Sequence, residues 1–524
     1  MADGLEFCTC KGCHYDTRQG GHQDWQILKD NPARYAEIAA GSPMTDAEKA
    51  KYAYKAKLMN DVHMSHAMEF ACPMSMRNCV TCHAGKLDKV LADSKFQFET
   101  CQSCHAVDGM KKLMSEAAFN HSAFIDNPSG ADCTLCHKSS GGVAPTFATL
   151  HVGGYDPRIY TSTGVKYADA FKVTVDSVAL SGNTLTIKFS AKESPDIAGL
   201  AVTGIAPTVL VGLYGYDSKD FLVAAHGRSF DDNGDGKIDS SDKRNLEYIV
   251  GETHPRFKTV SAANGSWEVT ADLTAWKDQI AAGKIKRAEI GILPALKDAA
   301  GNILGLNSPS RTFDLVAKKF DDTYFKGIVE ATRCNTCHDQ LAITWHNGSY
   351  GGGNVTVCRI CHESSSPGSH LEMQSRSIDS YVHAIHSFQA FDIASINFAD
   401  PVEAMEYEHH TESLFPRFGV ADCESCHKPG TYDIPNQEKT MPGVLSASAD
   451  TLKGKTRNIS GYPQAVVGPG ARSCGACHRS NAIIEDDNAA LAVKSQHFRT
   501  FGYSVTPDQG TWATVVDNIM SFFK

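Results

Sequence analysis

The sequence lacks any hydrophobic run long enough to cross a membrane and any excess of positive charge. Its longest apolar stretch covers residues 208–216, whereas a transmembrane helix needs about 20 apolar residues. Lys and Arg number 50 against 60 Asp and Glu, and the resulting net charge of -10 argues against nucleic acid as a partner. With 42% hydrophobic and 21% charged residues, the 524-residue chain is neither disordered nor collagenous, and it is long enough for about three domains.

Cysteine, by contrast, is abundant and regularly placed. Of 18 cysteines, 16 fall in eight copies of the pentapeptide Cys-x-x-Cys-His, whereas random placement would give about 0.03 copies. Two thiols three residues apart reach the two vinyl groups of one haem, and the His that follows becomes an axial ligand of its iron. Zinc ribbons, redox-active CxxC pairs and structural disulfides do not require that trailing His. We therefore predict eight covalently attached haem c groups.

The predicted haem ligands follow from these motifs. The attachment residues are Cys10, Cys13, Cys79, Cys82, Cys101, Cys104, Cys133, Cys136, Cys334, Cys337, Cys358, Cys361, Cys423, Cys426, Cys474 and Cys477. The proximal ligands are His14, His83, His105, His137, His338, His362, His427 and His478. No motif lies between His137 and Cys334, so we predict a haem-free middle. The predicted architecture is a tetrahaem module over residues 1–155, an all-β domain over residues 156–318 and a second tetrahaem module over residues 319–524. Each module is predicted to consist of short helices and irregular segments packed on its haems.

Histidines outside the motifs repeat between the two modules. His22 follows Cys10 by 12 residues, as His346 follows Cys334, and each module contains one His-x-x-His pair among its candidates. This doubling is typical of a duplicated module. The predicted distal ligands, four per module, are His22, His63, His66, His121, His346, His383, His386 and His497. The alternatives are surface or zinc-binding roles for the paired histidines and structural roles for the others, with His151, His370, His409 and His410 as reserve ligands.

Local patterns also predict secondary structure. Thr45 and Glu48 form a capping box, which predicts a helix that continues through His66. Residues 171–180 and 184–190 alternate with period two around a turn at 181–183, and residues 267–270 and 288–293 are further predicted strands. An antiparallel sandwich or a Greek-key barrel accounts for this pattern.

An EF-hand-type loop interrupts the predicted β-domain. Residues 231–242 place oxygen donors at the ligand positions of such a loop, with Gly236 at its sharp turn. The predicted calcium ligands are Asp231, Asn233, Asp235, the carbonyl of Lys237, Asp239 and Asp242. Asp at the last position shortens the bidentate reach that Glu normally supplies, and the alternative is a solvated acidic turn. The two remaining cysteines, Cys8 and Cys72, either form a disulfide or stay as thiols.

The match of four spare histidines to four haems in each module favours electron transfer over catalysis. Two imidazoles close both faces of an iron, so electrons enter while substrates cannot bind. We predict no catalytic residue. One alternative is a multihaem reductase of a small oxyanion or nitrogen substrate, which needs an open iron with a group such as Tyr407 beside it. Another is a cytochrome filament, because the first motif begins ten residues from the N-terminus.

Haem c attachment takes place outside the bacterial cytoplasm, so we expect an exported protein. Residues 1–4 lack the charged and apolar regions of a signal peptide, which indicates a mature or recombinant form.

The order haem module, β-domain, haem module resembles the extracellular OmcA/MtrC decahaem cytochromes. Shared features include Arg77-Asn78 before the Cys79 motif, the segment 382–386 and the Gly-rich segment after His346. That family has five haems per module and an additional N-terminal β-domain, so this chain resembles an octahaem variant without that domain.

The resemblance implies long-range electron transfer at the cell surface, in association with the outer membrane. The implied partners are other cytochromes, an outer-membrane porin-cytochrome complex, or further copies of the chain. The implied acceptors are extracellular minerals, chelated metals or flavins, and reduction of metals would then need no dedicated substrate site.

Overall fold

The computed structural model describes residues 31–51, 78–97, 121, 132–195, 206–215, 220–239, 241–298, 301, 303–324, 327–341, 353–364, 377–386, 423–432, 436, 440–441, 443–445, 465–467 and 504–505. The chain divides into two compact units, residues 1–170 with 332–348 and residues 171–331 with 349–524. The fifth motif, which begins at Cys334, therefore lies in the same unit as the first four. Within the described ranges, no helix combines the length and apolar character needed to cross a membrane.

The helices are short and the strands are concentrated in the middle of the chain. The helices are α1 (Pro32–Ala39), α2 (Asp46–Lys51), α3 (Val80–His83), α4 (Leu87–Val90), α5 (Phe147–Leu150), α6 (Tyr167–Ala170), α7 (Lys277–Ala281), α8 (Ala331–His338), α9 (Val355–Cys361) and α10 (Ile378–His386). Single 3-10 turns lie at Asp93–Lys95, Cys133–Leu135, Val152–Gly154, Thr274–Trp276 and Cys423–Ser425. The strands are β1 (Phe171–Ser181), β2 (Thr184–Glu193), β3 (Thr208–Tyr214), β4 (Phe221–Val223), β5 (Glu247–Ile249), β6 (Phe257–Ala263), β7 (Ser266–Asp272), β8 (Arg287–Leu293), β9 (Ser310–Asp314), β10 (Lys319–Phe320), β11 (Gly443–Leu445), β12 (Ala465–Val467) and β13 (Ser504–Val505).

The predicted capping box at the start of α2 is confirmed. The amide of Glu48 donates to Thr45 Oγ1 at 3.2 Å, and the amide of Thr45 donates to Glu48 Oε2 at 2.7 Å. Arg34 Nε also donates to Glu48 Oε1 at 2.7 Å, and this guanidinium lowers the pKa of Glu48 to about 2. The continuation through His66 lies outside the described residues.

The middle of the chain forms two antiparallel sheets, as predicted. One has the strand order β1-β2-β7-β6, and the other has the order β10-β9-β8-β3-β4 with β5 also paired to β3. The predicted strands correspond to β1, β2, β7 and β8, and Gly182 takes a φ of 57° in the hairpin between the first two. Because the two sheets are separate and share a core, the arrangement is a sandwich rather than a closed barrel.

Alternation of side chains creates the core between the sheets. In β2, Leu185, Ile187 and Phe189 are each no more than 1% exposed, and Phe189 stacks on Trp267 of β7 at 5.1 Å. Tyr248 of the second sheet stacks on Phe257 of the first sheet with ring centroids 5.1 Å apart. These contacts unite the inner faces in one hydrophobic cluster.

The outer face of the six-stranded sheet is also buried, because α9 covers it. A Cβ atom on Gly291 of β8 would lie 3.3 Å from Ile360 Cδ1 and 3.4 Å from Val357 Cγ2. A Cβ on Gly212 of β3, the neighbouring strand, would lie 3.2 Å from Ile360 Cγ2. The two glycines therefore form a shallow cradle for a helix that carries a haem motif.

Candidate haem centres

The structure describes five of the eight predicted haem motifs, those that begin at Cys79, Cys133, Cys334, Cys358 and Cys423. Of the predicted distal ligands it describes His121, His383 and the backbone of His386. The remaining site residues lie outside the described ranges. They are the motifs that begin at Cys10, Cys101 and Cys474, the distal candidates His22, His63, His66, His346 and His497, and the unassigned Cys8 and Cys72.

Each described motif lies on a helical turn, either alone or as part of a longer helix. The amide of the motif His donates to the carbonyl of the first Cys at 2.8 Å in the motifs of Cys79, Cys358 and Cys423, and at 2.9 Å in that of Cys133. The Cys334 motif instead completes helix α8. The turn places the first Cys and the His about one helical turn apart. Attachment of a haem through both thiols and its iron requires this spacing. No disulfide joins the motif cysteines whose side chains are described.

In two pairs of histidines, the distance between the ring centroids would fit one iron between the two rings. The ring centroids of His121 and His137 lie 6.3 Å apart with an interplanar angle of 30°, and those of His383 and His427 lie 6.2 Å apart at 20°. Imidazole–metal bonds of about 2 Å on both sides of an ion place two ring centroids roughly 6 Å apart. In both pairs one ring is a predicted proximal ligand and the other a predicted distal ligand. The residues present thus fit a haem held between two imidazoles.

Two contacts orient the proximal ring of the fourth motif, and the loop that follows the motif packs against its backbone. His137 Nδ1 donates to the carbonyl of Pro145 at 2.6 Å, which leaves Nε2 for an iron. Phe96 stacks on this imidazole with ring centroids 4.3 Å apart. The following loop folds back so closely that a Cβ on Gly142 would lie 2.8 Å from the carbonyl oxygen of Cys136. Gly142 is therefore required for the loop to close on its own motif.

The seventh motif is fixed by an adjacent extended segment. Residues 328–330 run antiparallel to it, with Lys428 N donating to the carbonyl of Ile328 and Glu330 N donating to that of Cys426, both at 2.9 Å. Burial, and then the neighbouring His383, lower the pKa of His427 below its ordinary value. A lowered pKa favours the neutral imidazole, which is the form that binds a metal.

A polar cluster joins the second and fifth motifs within the first unit. Asp339, directly after the fifth motif, accepts hydrogen bonds from Tyr160 Oη at 2.6 Å and Lys166 Nζ at 2.8 Å. Asn78, directly before the second motif, also donates to this carboxylate. Burial and then the Asp339 hydrogen bond raise the pKa of Tyr160. Sequence reasoning missed the cluster, because its members are spread over more than 250 residues and only Asn78 stood out as a family feature.

The sixth motif is mounted on the β-sandwich through its helix α9. Asn354 caps the helix, accepting from Thr356 N at 3.1 Å and donating to Ser310 Oγ of β9 at 3.0 Å. Arg359, inside the motif, pairs with the buried Asp220 at 3.2 Å. The sheet therefore holds both ends of the helix, while the glycine cradle receives its apolar face.

Two buried groups lie at this junction. Glu289 of β8 is only 2% exposed and accepts hydrogen bonds from Thr312 Oγ1 at 2.6 Å and Tyr214 Oη at 3.2 Å. Burial raises its pKa despite these hydrogen bonds, which act in the opposite direction. Burial likewise raises the pKa of the Cys358 thiol to about 11.

The predicted calcium loop, residues 231–239 and 241–242 of which the structure describes, is organised by hydrogen bonds from backbone amides to its carboxylates. Asp231 accepts from the amides of Gly234 at 2.6 Å and Gly236 at 2.7 Å, and Gly236 has a φ of 83°. Hydrogen bonds from backbone amides lower the pKa values of Asp239 and Asp242. Binding of calcium by these carboxylates stays a prediction.

The comparisons with known proteins agree with these motifs. Residues 326–513 match the family model described as outer membrane cytochrome MtrC/MtrF-like, domains II/IV, and residues 42–149 match the class III cytochrome c family. Both are cytochrome families, so haem c is the cofactor class, and the resemblance predicted from the sequence is confirmed. No curated protein matches significantly.

Two solved structures show a distant similarity. MtrC from Shewanella baltica OS185 has 17% identity and a TM-score of 0.30, with 59% of this chain and 39% of that one covered. The outer membrane decaheme cytochrome OmcA has 14% identity and a TM-score of 0.44, with 85% of this chain and 57% of that one covered. The chain thus spans about two fifths and somewhat over half of the length of these relatives.

Proposed function

We propose that this chain, which combines an MtrC/MtrF-like segment with a class III cytochrome segment, is an octahaem c-type cytochrome. It carries electrons over a long distance at or outside the cell surface. The proposal rests mainly on two histidine pairs, His121 with His137 and His383 with His427. Their ring centroids lie 6.3 and 6.2 Å apart. Two such rings would close both sides of a haem iron to substrate, an arrangement that suits electron transfer.

The chain's own residues set the geometry of this transfer. The motif cysteines fix each macrocycle, and the proximal and distal histidines predicted from the sequence close the two faces of each iron. The haems supply the electron carriers when attached. Hydrogen bonds such as that from His137 to Pro145 orient the ligands, and burial and nearby charge tune the potentials.

The acceptors that suit such a conduit are extracellular metal oxides, chelated metals, flavins and other cytochromes. An outer-membrane porin-cytochrome complex would supply the electrons. Calcium in the loop of residues 231–242 would act as a structural clamp on the β-sandwich, with no part in electron transfer.

Haem count and ligation test the proposal together. The intact mass should show eight haems, and optical and EPR spectra should show low-spin iron throughout with no binding of carbon monoxide. Exchange of His383 for Ala should open the seventh haem alone, giving one high-spin, carbon-monoxide-binding iron per molecule. The control variant H370A, which removes a reserve histidine, should remain low-spin. Fewer than eight haems, or a high-spin iron in the native protein, would defeat the proposal, as would rapid turnover of nitrite with reduced viologen.

A further inference from the structure

A histidine–carboxylate pair of the β-sandwich lies beside the sixth haem motif. His226 Nδ1 bonds to Glu247 Oε2 at 2.5 Å, and both side chains are largely buried. One ligand atom each from His226, Glu247 and Cys361 lie within 4.8 Å of one another. Cys361 is the second attachment cysteine of the motif, so its sulfur marks the edge of the sixth haem.

The fold explains why these three residues meet. Glu247 of β5 and Gly291 of β8 both pair with Leu210 of β3, so the three residues lie in one row on the outer face of the sheet. Helix α9 lies on this same face, in the cradle formed by Gly212 and Gly291. Cys361 at the end of α9 is thereby brought to Glu247 by the packing of the helix on the sheet.

The charges around the pair are also defined. Arg244 Nε lies 3.6 Å from Glu247 Oε2, and Arg244 Nη1 donates to the carbonyl of His226 at 2.8 Å. Further along this face of the sheet lie Glu289, the Arg359–Asp220 pair and Arg287, which pairs with Asp314 of β9 at 3.5 Å. Glu247 thus places a negative charge, and Arg244 a positive charge, at the edge of one haem.

We propose that His226 and Glu247 are positioning residues that set the reduction potential of the haem attached to Cys358 and Cys361. Reduction of a haem attached there would add one electron, supplied by another haem of the chain. A carboxylate held at the haem edge in a partly buried site disfavours that added electron and lowers the potential. His226 fixes the carboxylate in place through its Nδ1–H. The inference rests on the proposed function for attachment of the sixth haem.

Opposite charge changes at one place provide the test. In the full-length holoprotein, E247Q should raise the potential of a single haem, while R244Q should lower that of the same haem. Each variant should change its oxidised-to-reduced ratio at a fixed potential by at least threefold. H226Q should shift it in the direction of E247Q, because the carboxylate loses its anchor. E268Q is the matched control, since it removes the same charge from the four-stranded sheet, where Glu268 pairs with Lys188 at 3.0 Å.

Potentiometric titration followed by the NMR signals of the haem methyl groups resolves the individual haems. Shifts of the potential in the same direction in E247Q and R244Q, or no shift in either, would overturn the inference, and so would a shift in E268Q as large as that in E247Q. An NOE between the His226 ring and the thioether methyl group at Cys361 in the unmodified protein gives a check without any variant, and its absence contradicts the contact. The mass of the peptide that contains residues 358–361 separates the two proposals: a peptide without haem contradicts the proposed function, whereas a haem peptide without potential shifts contradicts this inference alone.

Discussion

Glu289 is a single buried residue from which we expect a dependence of folding stability on pH. Its carboxyl group lies under α9 with Tyr214 and Thr312 as hydrogen-bond partners, and burial raises its pKa. A carboxyl with a raised pKa holds its proton in the folded state at pH values where the unfolded chain has lost it. The folded state is therefore favoured less as pH rises from the ordinary Glu pKa toward the raised value.

The variant E289Q should remove this pH dependence. Gln has the same shape and cannot ionise, so the free energy of unfolding of the second unit should fall less between pH 5 and 8 than in the unmodified protein. Calorimetry at several pH values measures the difference. E268Q, which changes an acid on the opposite face of the sandwich, should leave the slope unchanged. A steeper fall in E289Q than in the unmodified protein would show that the buried group is not protonated.

At the scale of single residues, the sequence predicts haem attachment better than it predicts which residues lie beside one another in the fold. The motif spacing predicts His137 and His427 as proximal ligands, because that chemistry depends only on residues close together in the sequence. The pairing of His121 with the fourth motif, and of His383 with the seventh, depends on how distant segments fold. The spacing along the sequence does not predict which distal ring pairs with which proximal ring, because the length of a loop does not determine the direction in which it folds.

At the scale of elements, strands β3 and β8 are buried on both faces. Residues 208–216 form the longest apolar run of the chain, which is typical of a strand covered on two sides. The covering element is α9, about 145 residues further along the chain, so its position could not be predicted from the local sequence pattern. The alternating strands β1 and β2 were predictable, because one face of each meets solvent and the pattern is complete within the hairpin.

Exchange of Gly291 for Val should displace α9 from the sheet. Val is the better strand former, so propensity alone would favour the variant. Its side chain would collide with Val357 and Ile360, which approach the position of a Cβ to 3.3–3.4 Å. We expect a loss of about 1–3 kcal/mol in stability and a lower yield of haem at the sixth motif.

The matched control is A179V, which adds Val at an exposed position of β1 on the other sheet. Haem-peptide mass spectrometry and thermal unfolding compare the two variants. Unchanged haem occupancy and stability in G291V would show that α9 does not depend on the cradle.

For the whole molecule, the boundary between units does not follow the order of the haem motifs. The fifth motif joins the first unit, although a repeat-based division assigns it to the second module. Asp339 gives the physical reason, because it accepts hydrogen bonds from Tyr160 and Lys166 of the first unit. A repeat in the sequence reflects duplication of a module, whereas the compact units follow the polar and apolar contacts between residues.

The variant D339N should therefore weaken the first unit alone. Asp339 has a φ of 57°, a conformation that Asn also tolerates, so the exchange removes charge without adding backbone strain. It leaves Lys166 without its counter-ion in a largely buried site, at a cost of roughly 1–3 kcal/mol. Hydrogen exchange measured on the full-length holoprotein should increase in residues 78–91 and 155–167 while the β-sandwich keeps its protection. D322N, which removes an exposed partner of Arg311 in the second unit, controls for a general effect of lost charge. Faster exchange in both units of D339N would mean that the fifth motif stabilises the molecule as one cooperative body, and the division into two units would then fail.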